Sequence, residues 1–181
     1  MDLIKTCVLD FDRSIFFFFQ RLQRPWLDPV LAWPTGLGDW RILLPVLALG
    51  VLLLDKKKNP GSLAAVLVSV LSAEWANTWL KSLILRPRPY VYWEQVRVIF
   101  PVYPNTAFPS GHTAVIVAAA VALAHCYPKK APWFYVAAVL VAVTRLYVGV
   151  HYPTDLFGGA LVGAFCAILA CRLSARWGWV R

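Results

Sequence analysis

The sequence predicts an all-α fold, an integral membrane helical bundle of five transmembrane helices preceded by an N-terminal amphipathic interfacial helix. The 181 residues are 60% hydrophobic and only 15% charged, whereas soluble domains are roughly half apolar and a quarter charged. The apolar residues also fall in long blocks separated by short clusters of Pro, Arg and Lys, a pattern typical of membrane helices. No repeat or linker divides the chain, so we predict a single membrane-embedded domain over residues 1–181.

Five apolar blocks predict five membrane crossings. The second block has 24 residues and, at about 1.5 Å per residue, covers the roughly 30 Å hydrocarbon core with some tilt. The first block is short and must recruit flanking residues or thin the bilayer locally. The blocks are Ile42–Leu54, Ser62–Leu85, Thr113–Tyr127, Pro132–Val150 and Leu156–Leu173.

Residues 1–29 mix an aromatic run, Phe16–Phe19, with acidic and basic side chains. The apolar part is too short to span a membrane, and no small-residue cleavage site follows it. We therefore predict an amphipathic helix that lies in the membrane interface. A sixth crossing through this region is the alternative, and it would move the N-terminus to the opposite side.

Basic residues at the ends of the blocks predict the orientation of the bundle. With five crossings, Lys56–Lys58, Lys129–Lys130 and the arginines after the fifth block all fall on one side. The positive-inside rule makes that side cytoplasmic. The loop over residues 86–109 and the turn at His151 then share the outer face, which is the periplasmic face of a bacterial inner membrane. Because topology accounts for most of the basic residues behind the formal charge of +9, we predict the lipid bilayer as a partner and no nucleic acid.

Polar side chains inside the second block predict a functional face. Glu74, Asn77 and Lys81 recur at helical spacing, so one face of this helix must point into the bundle. The prolines of Arg86-Pro87-Arg88-Pro89 then end the helix and leave two guanidinium groups at its outer end. Snorkelling at the membrane boundary is the alternative role for these arginines.

A helix start suited to an anion follows Pro109. Ser110 suits the N-cap, and Gly111 lets a ligand approach the exposed backbone N–H groups. His112 lies in the first turn and would face the same ligand. For this motif alone, a capped helix with an incidental histidine is the alternative.

A third polar group lies around the turn before the fifth block. Arg145 lies inside an apolar block, where a charge needs an anionic partner. Pro153 suits the first helical position, so His151 precedes a helix and Asp155 lies in its first turn. A carboxylate at this position can accept the proton of one imidazole nitrogen and leave the other nitrogen available as a nucleophile.

The three motifs together resemble those of the type 2 phosphatidic acid phosphatase superfamily, and they occur in the family's order. Two departures are present. Thr144 stands where the family usually has serine before the arginine, and Arg86-Pro87 offers a second Arg-Pro at shorter spacing from Lys81. The matching residues are Lys81 with Arg88-Pro89, then Pro109-Ser110-Gly111-His112, then Arg145 with His151 and Asp155.

The resemblance implies a phosphatase. The sequence shows no cluster of carboxylates that would bind a metal, so we predict no metal requirement and no other cofactor. The resemblance also implies that His151 attacks phosphorus to give a phosphohistidine, that Asp155 orients His151, and that His112 protonates the departing oxygen and later activates water. Fixed cations would take the place of a metal ion in binding the phosphoryl oxygens. The phosphate-binding residues would be Lys81, Arg88, Ser110, Gly111 and Arg145, with secondary roles for Arg86, Glu74 and Asn77.

The sequence leaves several alternatives open. The lipid could be undecaprenyl diphosphate, lipid A 1-phosphate or phosphatidylglycerophosphate, and a lipid-to-lipid phosphotransferase is an alternative on the same fold. A non-catalytic transporter or structural bundle is the alternative of another class. The loop from Tyr90 to Phe108 is either a lid or an interfacial anchor. Its aromatic residues are Tyr90, Tyr92, Trp93, Phe100, Tyr103 and Phe108. Gly159 and Gly163 are expected to pack helices within the bundle, in a monomer or weak oligomer.

Overall fold

A computed structural model describes residues 2–54, 60–99 and 106–176, and all regular elements in those ranges are helical. Lys56–Lys58, Phe100, Tyr103 and Arg181 lie outside the described residues. Short 3-10 turns follow α2 and precede α7. The helices are α1 (Asp2–Arg21), α2 (Asp28–Thr35), α3 (Trp40–Leu54), α4 (Pro60–Leu83), α5 (Pro89–Tyr92), α6 (Gly111–Cys126), α7 (Ala131–Tyr147) and α8 (Pro153–Arg176).

Helices α4, α6 and α8 pack against one another and form the centre of the bundle, and α7 packs on the other side of α6. The close approach of α6 and α8 depends on small residues. A Cβ atom on Gly159 would lie 2.4 Å from the carbonyl oxygen of Ser110, and one on Gly163 would lie 2.1 Å from that of Ala114. The prediction that these glycines pack helices within the bundle is confirmed.

The break between α2 and α3 brings an N-terminal segment to one end of the bundle. Helix α2 and the 3-10 turn Gly36–Gly38 meet α3 at a bend of 77°. Below the bend, Leu43 of α3 joins the main buried cluster with Val70 of α4 and Val115 of α6. Residues 35–41 are therefore fixed between α3, α6 and α7 at the end where α6 begins.

Two helices, α4 and α8, are long and apolar enough to cross a membrane by themselves. The bent pair of α2 and α3 counts as a third when taken as one broken span, and α6 is apolar but shorter. At about 1.5 Å per residue, the 16 residues of α6 cover less than the roughly 30 Å hydrocarbon core. The predicted count of five crossings therefore stays a prediction.

Helix α1 covers most of the predicted N-terminal segment but ends at Arg21 rather than at Pro29, and a second helix, α2, begins at Asp28. It packs against α7 and α8. Phe16 and Asp12 are buried against the bundle, whereas Phe11 and Phe18 are exposed. This two-sided character agrees with an amphipathic helix, and its position in the membrane interface stays a prediction.

Candidate active site

One cavity of about 360 Å³ brings together most of the side chains singled out in the sequence. It lies at the end of the bundle where α4 ends and α6 and α8 begin. Two histidines and the three predicted cations line it, although they come from three separate parts of the chain. The predicted residues in its wall are Glu74, Asn77, Lys81, Arg88, Gly111, His112, Arg145 and His151.

Asp155 lies behind His151 and is held in place by other groups. The Nδ1 atom of His151 is 3.4 Å from Oδ2 of Asp155, a long contact for a hydrogen bond. The same oxygen accepts a hydrogen bond from the backbone N–H of Tyr152 at 2.8 Å. The His151 ring also makes a hydrogen bond with the backbone of Ala107. The role of the second ring nitrogen, Nε2, as the nucleophile stays a prediction.

His151 is buried, and its charged form is unfavourable there. Burial lowers its pKa well below the ordinary value, and the nearby cations Arg88, Arg145 and Lys81 lower it further. The ring is therefore neutral at neutral pH, as a nucleophilic imidazole must be.

Arg86 lies outside the cavity wall and is bound to two carboxylates. Its Nη1 donates to Asp155 Oδ1 at 2.7 Å, and its Nη2 donates to Asp12 Oδ2 at 2.6 Å. Burial lowers its pKa, but Asp155 and Asp12 together raise it by more. Arg88 instead lines the cavity. The choice of Arg88 over Arg86 as the phosphate ligand, made from spacing, stays a prediction.

Asp12 is a residue that the sequence did not single out. It is buried in α1 and accepts hydrogen bonds from the backbone N–H and the hydroxyl of Thr154, at 2.9 and 2.6 Å. Helix α1 is thereby tied to the start of α8, next to Asp155. An acidic residue on the apolar side of an amphipathic helix was the only available signal.

The start of α6 has the predicted N-cap, and its binding of an anion stays a prediction. Ser110 is the N-cap, and its Oγ accepts hydrogen bonds from the hydroxyl of Thr113 at 3.0 Å and from its backbone N–H at 3.5 Å. It is fully buried and does not line the cavity. Gly111 does line it, packed closely against Asn77. The predicted phosphate contact of Ser110 stays a prediction.

Lys81 links α4 to the loop before α6. Its Nζ donates to the carbonyl oxygen of Thr106 at 2.6 Å, and Thr106 Oγ1 donates to the carbonyl oxygen of Lys81 at 3.3 Å. The ammonium group therefore faces the cavity from a fixed position.

A chain of hydroxyl groups holds Arg145. Its Nη1 donates to Thr35 Oγ1 at 2.9 Å, and Thr35 Oγ1 lies 2.9 Å from Thr144 Oγ1, which donates to the carbonyl oxygen of Val141 at 2.7 Å. Since the Thr144 proton is used on Val141, Thr35 donates to Thr144 and keeps a lone pair for the guanidinium. Thr35 and Thr144 are both buried. Thr35, on α2, was missed because its partner lies 110 positions away.

The segment after Thr35 also forms part of the cavity and was missed. A Cβ atom on Gly38 would lie 2.6 Å from Cβ of His112, so this turn rests directly on the histidine. Asp39, Trp40 and Arg41 line the cavity beyond it. Two glycines in Gly36-Leu37-Gly38 were the signal for a close approach.

Residues 2–54, 60–99 and 106–176 contain no group of three His, Cys, Asp or Glu side chains arranged as a metal site. Independence of a metal ion stays a prediction.

Comparison with known proteins agrees with this geometry. Residues 62–179 match the PAP2 superfamily. The chain is 26% identical over 171 residues to an undecaprenyl-diphosphatase of Sulfolobus acidocaldarius, a match that covers 92% of this chain and 80% of that protein.

Two solved structures share the fold. The crystal structure of Aquifex aeolicus LpxE is 28% identical, with a TM-score of 0.78, and the match covers 89% of this chain and 94% of that one. A transmembrane PAP2-type phosphatidylglycerolphosphate phosphatase from Bacillus subtilis is 26% identical, with a TM-score of 0.76, over 97% of this chain and 88% of that one.

Proposed function

The chain belongs to the PAP2 superfamily of lipid phosphatases, and from that premise we propose that it hydrolyses the terminal phosphate of a membrane lipid phosphate or diphosphate through a phosphohistidine, without a metal ion. The observation that carries the proposal is the cavity in which His112, His151 and the three cations Lys81, Arg88 and Arg145 meet. Phosphoryl transfer needs cationic groups around three phosphoryl oxygens and in-line placement of nucleophile and leaving group.

In the first step, Nε2 of His151 attacks phosphorus, the bond from phosphorus to the lipid oxygen breaks, and His112 gives that oxygen a proton. In the second step, His112 takes a proton from water, the water oxygen attacks phosphorus, and the bond from phosphorus to nitrogen breaks. Inorganic phosphate leaves and His151 is regenerated. Asp155 stabilises the positive charge that forms on His151.

Release of inorganic phosphate from purified protein tests the hydrolase. We expect release from at least one of undecaprenyl diphosphate, lipid A 1-phosphate and phosphatidylglycerophosphate, unchanged by chelator, and none from a His151→Ala protein. Appreciable turnover by His151→Ala would contradict the nucleophile assignment. Phosphate transfer that appears only when a second lipid alcohol is added would favour the phosphotransferase.

We place the cavity on the periplasmic face. Support comes from the basic residues Lys129 and Lys130, between α6 and α7, and from Arg172 and Arg176, near the end of α8. These residues lie at the end of the bundle opposite the cavity, and the positive-inside rule makes their side cytoplasmic. A green fluorescent protein fused after the C-terminus should fluoresce, whereas an alkaline phosphatase fused there should be inactive. The reverse pattern would contradict this orientation.

A further inference from the structure

The cavity has a second end with a different chemical character. Helix α4 rises about 1.5 Å per residue, so Asn77 and Glu74 lie roughly 6 and 10 Å along its axis from Lys81. Both line the same cavity as the catalytic residues, together with Asp39 from the segment before α3. Lys81 interacts electrostatically with Arg88 and Arg145 at one end. Glu74 interacts with Asp39 and with Arg41 at the other end, which also carries the amide of Asn77.

The buried amide of Asn77 indicates that a ligand binds at this second end of the cavity. Its side chain is 2% exposed, and its Oδ1 has no hydrogen-bond partner among the residues that the structure describes. A buried polar atom of this kind needs a partner. The amide is packed against Gly111, where a Cβ atom would lie 2.9 Å from Nδ2. The amide, with an oxygen atom that lacks a donor, is thus held beside the start of α6.

The charged groups at the second end of the cavity determine which ligands it can bind. Glu74 and Asp39 both accept hydrogen bonds, and they lie close enough to interact electrostatically. Arg41 also lines the cavity but is exposed, and its Cζ atom lies 5.7 Å from the centroid of the Trp40 ring. A solvated charge offsets the nearby carboxylates only weakly. The second end therefore favours hydrogen-bond donors and disfavours a further anion.

We propose that Asp39, Glu74 and Asn77 form a leaving-group subsite for a lipid headgroup that bears a hydroxyl beside the phosphoester, and that this subsite selects against a second phosphate. The proposal rests on the proposed function. When a lipid diphosphate is cleaved at its terminal phosphorus, the remaining phosphate is the leaving group and lies against the two carboxylates. A glycerol or sugar hydroxyl in the same place donates to Asn77 Oδ1 or to a carboxylate instead.

Four substrates separate these effects in the purified full chain. Farnesyl phosphate and farnesyl diphosphate differ only in the second phosphate. Lysophosphatidic acid adds a glycerol hydroxyl beside the phosphoester, whereas lipid A 1-phosphate carries a sugar whose neighbouring position bears an acylated amine, so that its nearest donor is an amide N–H. We expect the wild type to have a higher kcat/KM for farnesyl phosphate than for the diphosphate, and a higher one still for lysophosphatidic acid. A higher kcat/KM for lipid A 1-phosphate than for lysophosphatidic acid would contradict a hydroxyl as the selected donor.

Variants test the residues. Glu74→Gln removes one negative charge and should shift the ratio of diphosphate to monophosphate kcat/KM upward by on the order of tenfold. Asn77→Ala should reduce the preference for the hydroxyl-bearing substrate. Glu94→Gln, at an exposed carboxylate outside the cavity, is the matched control and should change neither ratio.

The outcomes are distinct. A wild type that prefers the diphosphate, or a Glu74→Gln protein that changes all four substrates by the same factor, would overturn the subsite and leave the phosphatase intact. Failure to release phosphate from these four substrates and from the three lipids named above would instead count against the proposed function.

Discussion

Replacing Thr35 with valine tests whether the N-terminal segment holds Arg145 in place. Nη1 of Arg145 donates to Thr35 Oγ1 at 2.9 Å, and both side chains are buried. Valine keeps the shape of threonine but cannot accept this hydrogen bond. A hydrogen bond to a charged group contributes about 1.5–3 kcal/mol, and each 1.4 kcal/mol corresponds to about a factor of ten in rate. We therefore expect kcat/KM to fall about ten- to a hundredfold.

The assay is phosphate release from the preferred lipid, over a range of substrate concentrations. If Arg145 interacts more strongly with the transition state than with the bound substrate, Thr35→Val should lower kcat and change KM little. Thr35→Ser keeps the hydroxyl and should retain most of the activity. The reasoning is refuted if Thr35→Val has wild-type kcat/KM, or if Thr35→Ser is as impaired as Thr35→Val while both elute and melt like the wild type.

Three further predictions follow from the same structure. Gly38→Ala places a methyl group 2.6 Å from Cβ of His112 and should lower kcat, whereas Gly50→Ala, with no atom within 4 Å of its new Cβ, should not; equal activity of the two proteins would contradict the contact. Gly163→Ala places a methyl group 2.1 Å from a backbone carbonyl oxygen of α6 and should destabilise the fold by about 1–3 kcal/mol, seen as a lower melting temperature; an unchanged melting temperature would be evidence against this packing. Burial and three cations lower the pKa of His151 below the ordinary 6.5, so its ring stays neutral as the pH falls through 6.5. In a pH profile of kcat/KM, the loss of activity caused by protonation of His151 should therefore lie below pH 6.5. Protonation of His151 at or above pH 6.5 would refute the assignment.

Sequence spacing predicted most of the residues that line the cavity, because many of them lie close to one another in the chain. His151 and Asp155 are four residues apart, and Glu74, Asn77 and Lys81 share one helical face, so the residue types and their periodicity were sufficient. The two arginines show the limit of this reasoning. Arg86 and Arg88 look alike in the sequence, and only the positions of Asp12 and Asp155 show that Arg86 is bound to carboxylates.

The sequence by itself determined that the chain is helical and apolar. It also determined which apolar segments carry polar residues, and which imidazoles and cations could bind phosphate. Tertiary structure alone decided that residues 38–41 line the cavity, that Thr35 binds Arg145, and that Asp12 ties α1 to the start of α8. The physical reason is that a hydrogen bond or a steric contact depends on distance in space, and these partners lie far apart in the chain. The sequence pattern of one helix does not indicate which residues of another helix pack against it.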